Sequence, residues 1–251
     1  MNSIIAIIPA RYGSTRLNAK PLIEINGKSI LRRVWEATSD SKLVERVIVA
    51  TDDDRIKEHC KSFNAECVIT SQNINSGTDR IYEVLKMLNL KYDITLNIQG
   101  DEPLLKGSLV DMLIEKFINS NSDVGTIIKK ITNVEDIENK NIVKVILDKN
   151  NNAIYFSRSP IPFVRDIDKE DWLNHNTFYK HIGIYAYKNK SLIQFVKLPQ
   201  SKLELAEKLE QLRLLEDGAK YFCLETNDEL IGVDTKEDLL NVKNYLIELP
   251  Q

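Results

Sequence analysis

The segment Pro9-Ala10-Arg11-Tyr12-Gly13-Ser14-Thr15-Arg16-Leu17-Asn18-Ala19-Lys20-Pro21 carries three cations and no acid. Two guanidinium forks and one ammonium are groups that neutralise phosphate oxygens, the forks in bidentate fashion and the lysine as a point charge. Gly13 lets the backbone itself come close. One charge pair at about 4 Å is worth roughly 4 kcal/mol at an effective dielectric near 20, before desolvation. Three such partners suit a polyphosphate. A charge cluster elsewhere would read as a solvated loop. This one directly follows the apolar, β-branched run Ile4 to Ile8, and ligands of open α/β sheets bind beyond the carboxyl ends of the strands.

Asn97-Ile98-Gln99-Gly100-Asp101-Glu102-Pro103 puts acids at the end of a second apolar run. An acid there can hold a hard divalent cation, and Mg²⁺ needs only one or two protein carboxylates beside water and phosphate oxygens. An ordinary turn that starts a helix explains the same residues equally well. Asp234, after Ile231-Gly232-Val233, offers a second carboxylate, although Asp234 or Thr235 could simply cap the final helix with Asp238 completing a box. Ser76-Gly77-Thr78-Asp79-Arg80 presents a hydroxyl, a turn and a guanidinium, or merely opens a helix. In the second half, Arg158 and His181 are the candidate partners of a substrate anion. A histidine in a strand is more often structural, and Glu210, on a polar face with Glu207, reads as solvated. Two familiar nucleotide signatures are absent: there is no GxGxxG, and Gly27-Lys28-Ser29 lacks the glycine of a Walker A loop because Leu22 stands there. Gly27-Lys28-Ser29 therefore reads as a turn and helix start.

The elements that must position these groups alternate. Ile4 to Ile8, Arg46 to Ala50, Glu66 to Thr70 and Ile94 to Ile98 read as buried strands. Between and after them, Ile30, Leu31, Val34 and Trp35 share one helical face, Ile81, Val84, Leu85 and Leu88 another, and Val110, Leu113, Ile114 and Phe117 a third. This is a βαβ pattern with a mostly parallel sheet flanked by helices. After about Asn121 the rhythm changes to strand-like Val124 to Ile131, Ile142 to Leu147 and Ala153 to Phe156, then a proline-bearing stretch Ser157 to Pro162, which predicts a smaller β-rich sub-domain. Tyr179 to Tyr187 is a further strand. Leu205, Leu209 and Leu212 mark one helix ending at Gly218, and Tyr221 to Leu224 with a helix from Thr235 return to the main sheet. The expected division of this single body is 1–122 plus 219–251 against 123–218.

The 251 residues are 43% hydrophobic and 28% charged, too apolar for a disordered chain. A net charge of −3 gives no global field for nucleic acid, so any anion site must be local. No apolar run approaches the about 20 residues that span a bilayer, and no leader pattern is seen, so no membrane insertion and a cytoplasmic location are expected. Cys60, Cys67 and Cys223 show no metal spacing and read as reduced thiols.

Taken together, IPARYGSTRL followed by KPL, then SGTDR, NIQGDEP, YFSRSPIPF, HIGIYAY, LEQLRLLEDG and GVDT resemble, in order, the CMP-Kdo synthetases, cytidylyltransferases that activate 3-deoxy-manno-octulosonate (Kdo) for bacterial lipopolysaccharide. The resemblance runs from Ile7 to about Leu240. It implies a Rossmann-like nucleotide-diphospho-sugar transferase fold with a smaller dimerising sub-domain, a homodimer, CTP and Kdo as substrates, and Mg²⁺. It implies that Ala10, Arg11, Arg16, Lys20, Ser76, Thr78 and Arg80 bind the nucleotide. Gln99, Arg158, His181, Tyr185, Glu210 and Gln211 would line the sugar-acid site, and Asp101 and Asp234 would bind the metal, with Lys20, Arg16 and both aspartates catalytic. Two departures stand out: Asn18-Ala19 where the family usually has Pro-Gly, and Lys236 where it usually has Pro. Should the loop need a positive φ at position 19, alanine is strained there. The alternatives are a cytidylyltransferase for a related sugar acid, such as 8-amino-Kdo or a sialic acid, and a module that senses nucleotide or sugar acid without turnover. Sugar-phosphate pyrophosphorylases are disfavoured, because their opening loop resembles a Gly-Gly-rich pattern and this one has Gly13 alone.

Overall fold

The structure, a computed structural model, describes residues 2–13, 17–74 and 76–248. Its chain separates into two compact units, one holding residues up to Met112 together with those from Glu229 onward, the other Leu113–Asp228.

The first unit is built on parallel strands. In chain order its elements are β1 (Ile4–Ala10), a short hairpin of β2 (Glu24–Ile25) and β3 (Lys28–Ser29), α1 (Ile30–Ser39), β4 (Arg46–Thr51), α2 (Asp54–Lys61), β5 (Glu66–Ile69), α3 (Gly77–Met87) and β6 (Ile94–Asn97). β1 pairs in parallel with β6 on one side, Ile4 opposite Ile94, and with β4 on the other, Ile5 opposite Arg46; β5 follows beyond β4. Both edges of β1 are thus paired, and Ile4 to Ile8 are almost fully buried. That burial is why the run is uniformly apolar rather than alternating. Because all four strands are parallel, their carboxyl ends at Ala10, Thr51, Ile69 and Asn97 share one edge.

Local chemistry opens each helix. Ser29, Asp53 and Ser76 accept from the backbone N–H of Arg32, Arg55 and Asp79 and so cap α1, α2 and α3. Gly27-Lys28-Ser29 is accordingly the turn and helix start that the missing Walker glycine predicted, with Gly27 at φ +73°. α4 (Gly107–Ile118) carries the chain from the first unit into the second. Its first residue must be glycine, because a Cβ there would stand 2.8 Å from the Asp40 carbonyl carbon and the Ser41 nitrogen.

The second unit contains β7 (Val124–Lys130), α5 (Val134–Glu138), β8 (Lys144–Leu147), β9 (Ala153–Ser157), α6 (Trp172–His175), β10 (Tyr179–Lys188), α7 (Asn189–Lys197), α8 (Lys202–Glu207), α9 (Leu212–Glu216) and β11 (Tyr221–Glu225). β7 lies between β11, parallel to it, and β10, antiparallel, while β8 pairs antiparallel with both β9 and β10. β10 has an irregularity between Ile182 and Tyr185. The single helix expected up to Gly218 is two: Lys208 takes a left-handed conformation, φ +56°, and breaks it. The cause is Arg213, whose guanidinium donates to both oxygens of Glu204 at 2.8 and 2.7 Å and folds α9 back against α8. Gly218, φ +90°, ends α9 as anticipated. Finally α10 (Lys236–Glu248) belongs to the first unit. Thr235 Oγ1 accepts from the Asp238 N–H, and the Asp238 carboxylate accepts from the Thr235 N–H, closing the expected box. Among the described residues, no helix is long and apolar enough to cross a membrane.

Candidate active site

Three sequence-distant groups meet beyond the carboxyl edge of the first unit. The Lys20 ammonium donates to Asp101 Oδ2 at 2.7 Å and to Asp234 Oδ1 at 2.9 Å. Apolar anchors beside each group hold it there. Leu17, Leu104 and Val233, close in sequence to Lys20, Asp101 and Asp234, pack together with Ile25, Ile30 and Val242 in one buried cluster. Full burial of such a side chain contributes roughly 1.5–3 kcal/mol, so three charged segments converge because their hydrophobic neighbours share a core. The Val233 N–H also donates to the Asp101 carbonyl at 2.9 Å, fixing the two acidic segments to each other.

Burial works to lower the Lys20 pKa, but the Asp101 and Asp234 carboxylates outweigh it and hold the ammonium above its ordinary value. Lys20 is therefore a fixed cation at neutral pH. Two hard carboxylate oxygens on one cationic point form the kind of sparse acidic set that Mg²⁺ accepts when phosphate and water complete its shell. These residues fit the ion.

The turn that presents Lys20 is itself informative. The Ala19 N–H donates to the Tyr12 carbonyl at 3.2 Å, and Ala19 sits at φ +53°, in the left-handed region. Position 19 does require the conformation that glycine adopts freely. Ala10, the last residue of β1, is buried. Arg11 donates to the Ile74 carbonyl. Arg16 lies outside the described residues.

The second nucleotide candidate segment is more structural than its residue types suggested. Ser76 caps α3 and donates to Asp79 Oδ2 at 2.6 Å. Thr78 is fully buried and accepts from Asn97 Nδ2 at 3.2 Å, while Asn97 Oδ1 accepts from Gln99 Nε2 at 3.2 Å. Gln99, assigned by resemblance to the sugar acid, is thus wired to the nucleotide candidate Thr78. Arg80 is fully buried and straps three elements, donating to Asp52 Oδ2 at 2.9 Å and to the Thr70 hydroxyl.

Sequence reasoning passed over two partners in this unit. Asp52 neutralises Arg80, and the Arg55 guanidinium lies 3.3 Å from the centre of the Tyr12 ring while its own fork is held by Asp53. The signal was available: Asp52-Asp53 follow β4 as Asp101 follows β6.

In the second unit, His181, Tyr185 and Glu210 gather. His181 Nε2 is 2.9 Å from the Thr126 hydroxyl, and its ring lies between those of Phe156 and Tyr185, at 4.9 and 5.4 Å. Burial pushes the imidazole down to about 3, so it is neutral. Burial first, then Tyr187 and the Glu210 carboxylate, raise the Tyr185 phenol well above its ordinary value. Glu210 is half-buried and Gln211 buried, in the turn between α8 and α9, so Glu210 is not the solvated acid its sequence context implied. Arg158 is brought to the same turn. Its Nε donates to the Glu207 carbonyl at 2.8 Å and its Nη1 to the Lys140 carbonyl at 2.9 Å. Lys144, unremarked in the sequence, spends its buried ammonium on the carbonyls of Asn139, Ile142 and Arg158 at 2.9, 2.7 and 2.7 Å.

The chain matches the model of the cytidylyltransferase family over residues 5–225. It is 46% identical over 250 residues to the 3-deoxy-manno-octulosonate cytidylyltransferase of Parabacteroides distasonis, covering 98% of this chain and 99% of that one. Against the enzyme of the same description from Thermodesulfovibrio yellowstonii it is 47% identical over 241 residues, 94% of each chain. Among solved structures, a CMP:2-keto-3-deoxy-manno-octonic acid synthetase complexed with CTP superposes with a TM-score of 0.89 at 35% identity, over 98% of this chain and 99% of that one. A cytidylyltransferase from Leptospira borgpetersenii, 17% identical with a TM-score of 0.65 over 100% of this chain and 89% of that one, shares the fold. Matched over nearly its full length, and sharing the mostly parallel α/β fold, the chain belongs to the 3-deoxy-manno-octulosonate cytidylyltransferase family.

Proposed function

We infer that this protein transfers the cytidylyl group of CTP to Kdo, giving CMP-Kdo and pyrophosphate and so activating Kdo for lipopolysaccharide synthesis. The observation that carries the reading is the Lys20 ammonium between Asp101 and Asp234, at the edge where phosphates bind in sheets of this kind. A sugar-acid hydroxyl attacks the α-phosphorus, an O–P bond forms as the hydroxyl proton passes to water, and the bond to the pyrophosphate oxygen breaks with that oxygen keeping the electron pair. Positioning and charge neutralisation dominate such transfers. Arg11, Arg16 and Lys20 supply positive charge to the triphosphate, and Lys20, held protonated by its acids, needs no proton transfer before it acts. Asp101 and Asp234 would hold Mg²⁺, which when bound withdraws charge from phosphate oxygens. His181, neutral at working pH, offers the sugar acid a hydrogen bond rather than a charge, leaving Arg158 as the cation for its carboxylate.

A cytoplasmic homodimer completes the proposal. It is supported by Ile154, Leu203 and Leu205, apolar side chains left exposed on the second unit. Sedimentation of the purified chain at twice the monomer mass is the expected result.

The direct test mixes purified protein with CTP, Mg²⁺ and Kdo and measures pyrophosphate. Release that requires all three, stops on addition of EDTA and returns with excess Mg²⁺ is expected. Tight CTP binding without pyrophosphate release for any sugar acid would instead identify a sensing module.

A further inference from the structure

Among the described residues of the second unit, the hydroxyls of Ser191 and Tyr221 are buried without a hydrogen-bond partner, and that of Tyr221 lies among the aromatic rings around His181. Tyr221 has no exposed surface, and its Oη has no hydrogen-bond partner among the described residues. Buried polar atoms are nearly always paired, so an unpaired one asks for a reason.

Register gives the reason a location. On β7, Val124 stands opposite Tyr187 of β10 and Tyr221 of β11, and Thr126 opposite Tyr185 and Cys223. Residues facing each other across strands share a side of the sheet, as do those two apart along one strand. Tyr221 therefore lies on the face that carries Tyr185 and Thr126, the hydroxyl partner of His181. Ring contacts agree: Tyr221 meets Phe156 edge to face at 5.8 Å, and Phe156 meets His181 at 4.9 Å. Burial, then Tyr187, Tyr185 and Glu210, keep its phenol protonated far above the ordinary range, so it remains a donor. Tyr185 and Gln211 are themselves nearly enclosed, at 3% and 2% exposure against none for Tyr221, so a further enclosed side chain is in keeping with that group.

We infer that Tyr221 is a further residue of the sugar-acid site, its hydroxyl donating to an oxygen of the bound acceptor. The inference rests on the cytidylyltransferase reading above. An unpaired donor facing the acceptor would favour a hydroxylated substrate over one lacking that oxygen, because only the former satisfies it.

The test is Tyr221→Phe, which removes one oxygen and leaves the ring. Pyrophosphate release is followed with Kdo varied at saturating CTP, then with CTP varied at saturating Kdo. The Kdo KM should rise roughly three- to tenfold, the range of one neutral hydrogen bond. The kcat and the CTP KM should hold, and the thermal midpoint should stay or rise, since an unsatisfied hydroxyl has gone. An unchanged Kdo KM overturns the inference while leaving the function intact. A variant that fails to fold also overturns it, because it would show a packing role for the hydroxyl. Wild-type protein that releases no pyrophosphate with any sugar acid defeats the functional reading itself, and this inference with it.

Discussion

At the scale of single residues, the chemistry proposed here rests on one ammonium and two carboxylates. Asp101→Ala is expected to lower kcat for pyrophosphate release by at least about a hundredfold, and Lys20→Gln to lower kcat/KM for CTP comparably, as for other preorganised charges at a transition state. Steady-state assays with folded variants decide both; a change of less than tenfold would remove the residue from the mechanism. Ala19 offers the opposite kind of test. A left-handed residue costs roughly 1–2 kcal/mol when it carries a Cβ, and glycine gives back part of the gain as chain entropy. Ala19→Gly should therefore stabilise the protein by about 0.5–1 kcal/mol, read as a higher urea midpoint at constant slope. The strain at position 19 was foreseeable from the replacement of the usual Pro-Gly by Asn18-Ala19, and the φ of +53° shows it.

At the scale of elements, starts were easier to read than breaks. Ser29, Ser76 and Thr235 announce their helices because a cap is a local event, a side chain meeting an N–H two or three residues on. The break at Lys208 was not legible, since leucine spacing alone continues the helix. It depends on a pair nine residues apart that closes only after folding, Glu204 with Arg213. Both side chains are about 95% buried, so removing one partner leaves an uncompensated charge. Arg213→Met should cost about 3–5 kcal/mol of unfolding free energy, and adding Glu204→Leu should restore most of it. Equal stability of the single and double variants would mean that the pair does not hold the break. The same pair shapes the turn carrying Glu210 and Gln211, so Arg213→Met should also raise the Kdo KM.

At the scale of the whole molecule, the balance of charge in its two states sets the response to acid. His181 is held at about 3 in the folded protein by burial, against about 6.5 when unfolded. Below pH 6.5 the unfolded chain takes up a proton that the folded chain refuses. Stability is therefore lost as pH falls from about 6.5 toward 3, by about 1–2 kcal/mol at pH 5 once the surface the residue retains is allowed for. Denaturant titrations of wild type and His181→Gln between pH 7 and pH 5 should show the shallower slope in the variant; parallel curves would exclude His181 as a source of acid sensitivity.

The amino-acid order alone determined the parallel strands, their helices, and the basic and acidic segments at strand ends, because hydrophobic period, caps and turn residues act over a few neighbours. It also carried the family, through motifs kept in order along the chain. Tertiary structure alone decided that Lys20 closes on Asp101 and Asp234, that Arg80 is spent on Asp52, and that Tyr221, on the face of Tyr185, finds no hydroxyl partner among the described residues. Those pairings join residues 28 to 214 positions apart or on different strands. Their geometry comes from which apolar surfaces share a core, and no local pattern encodes that.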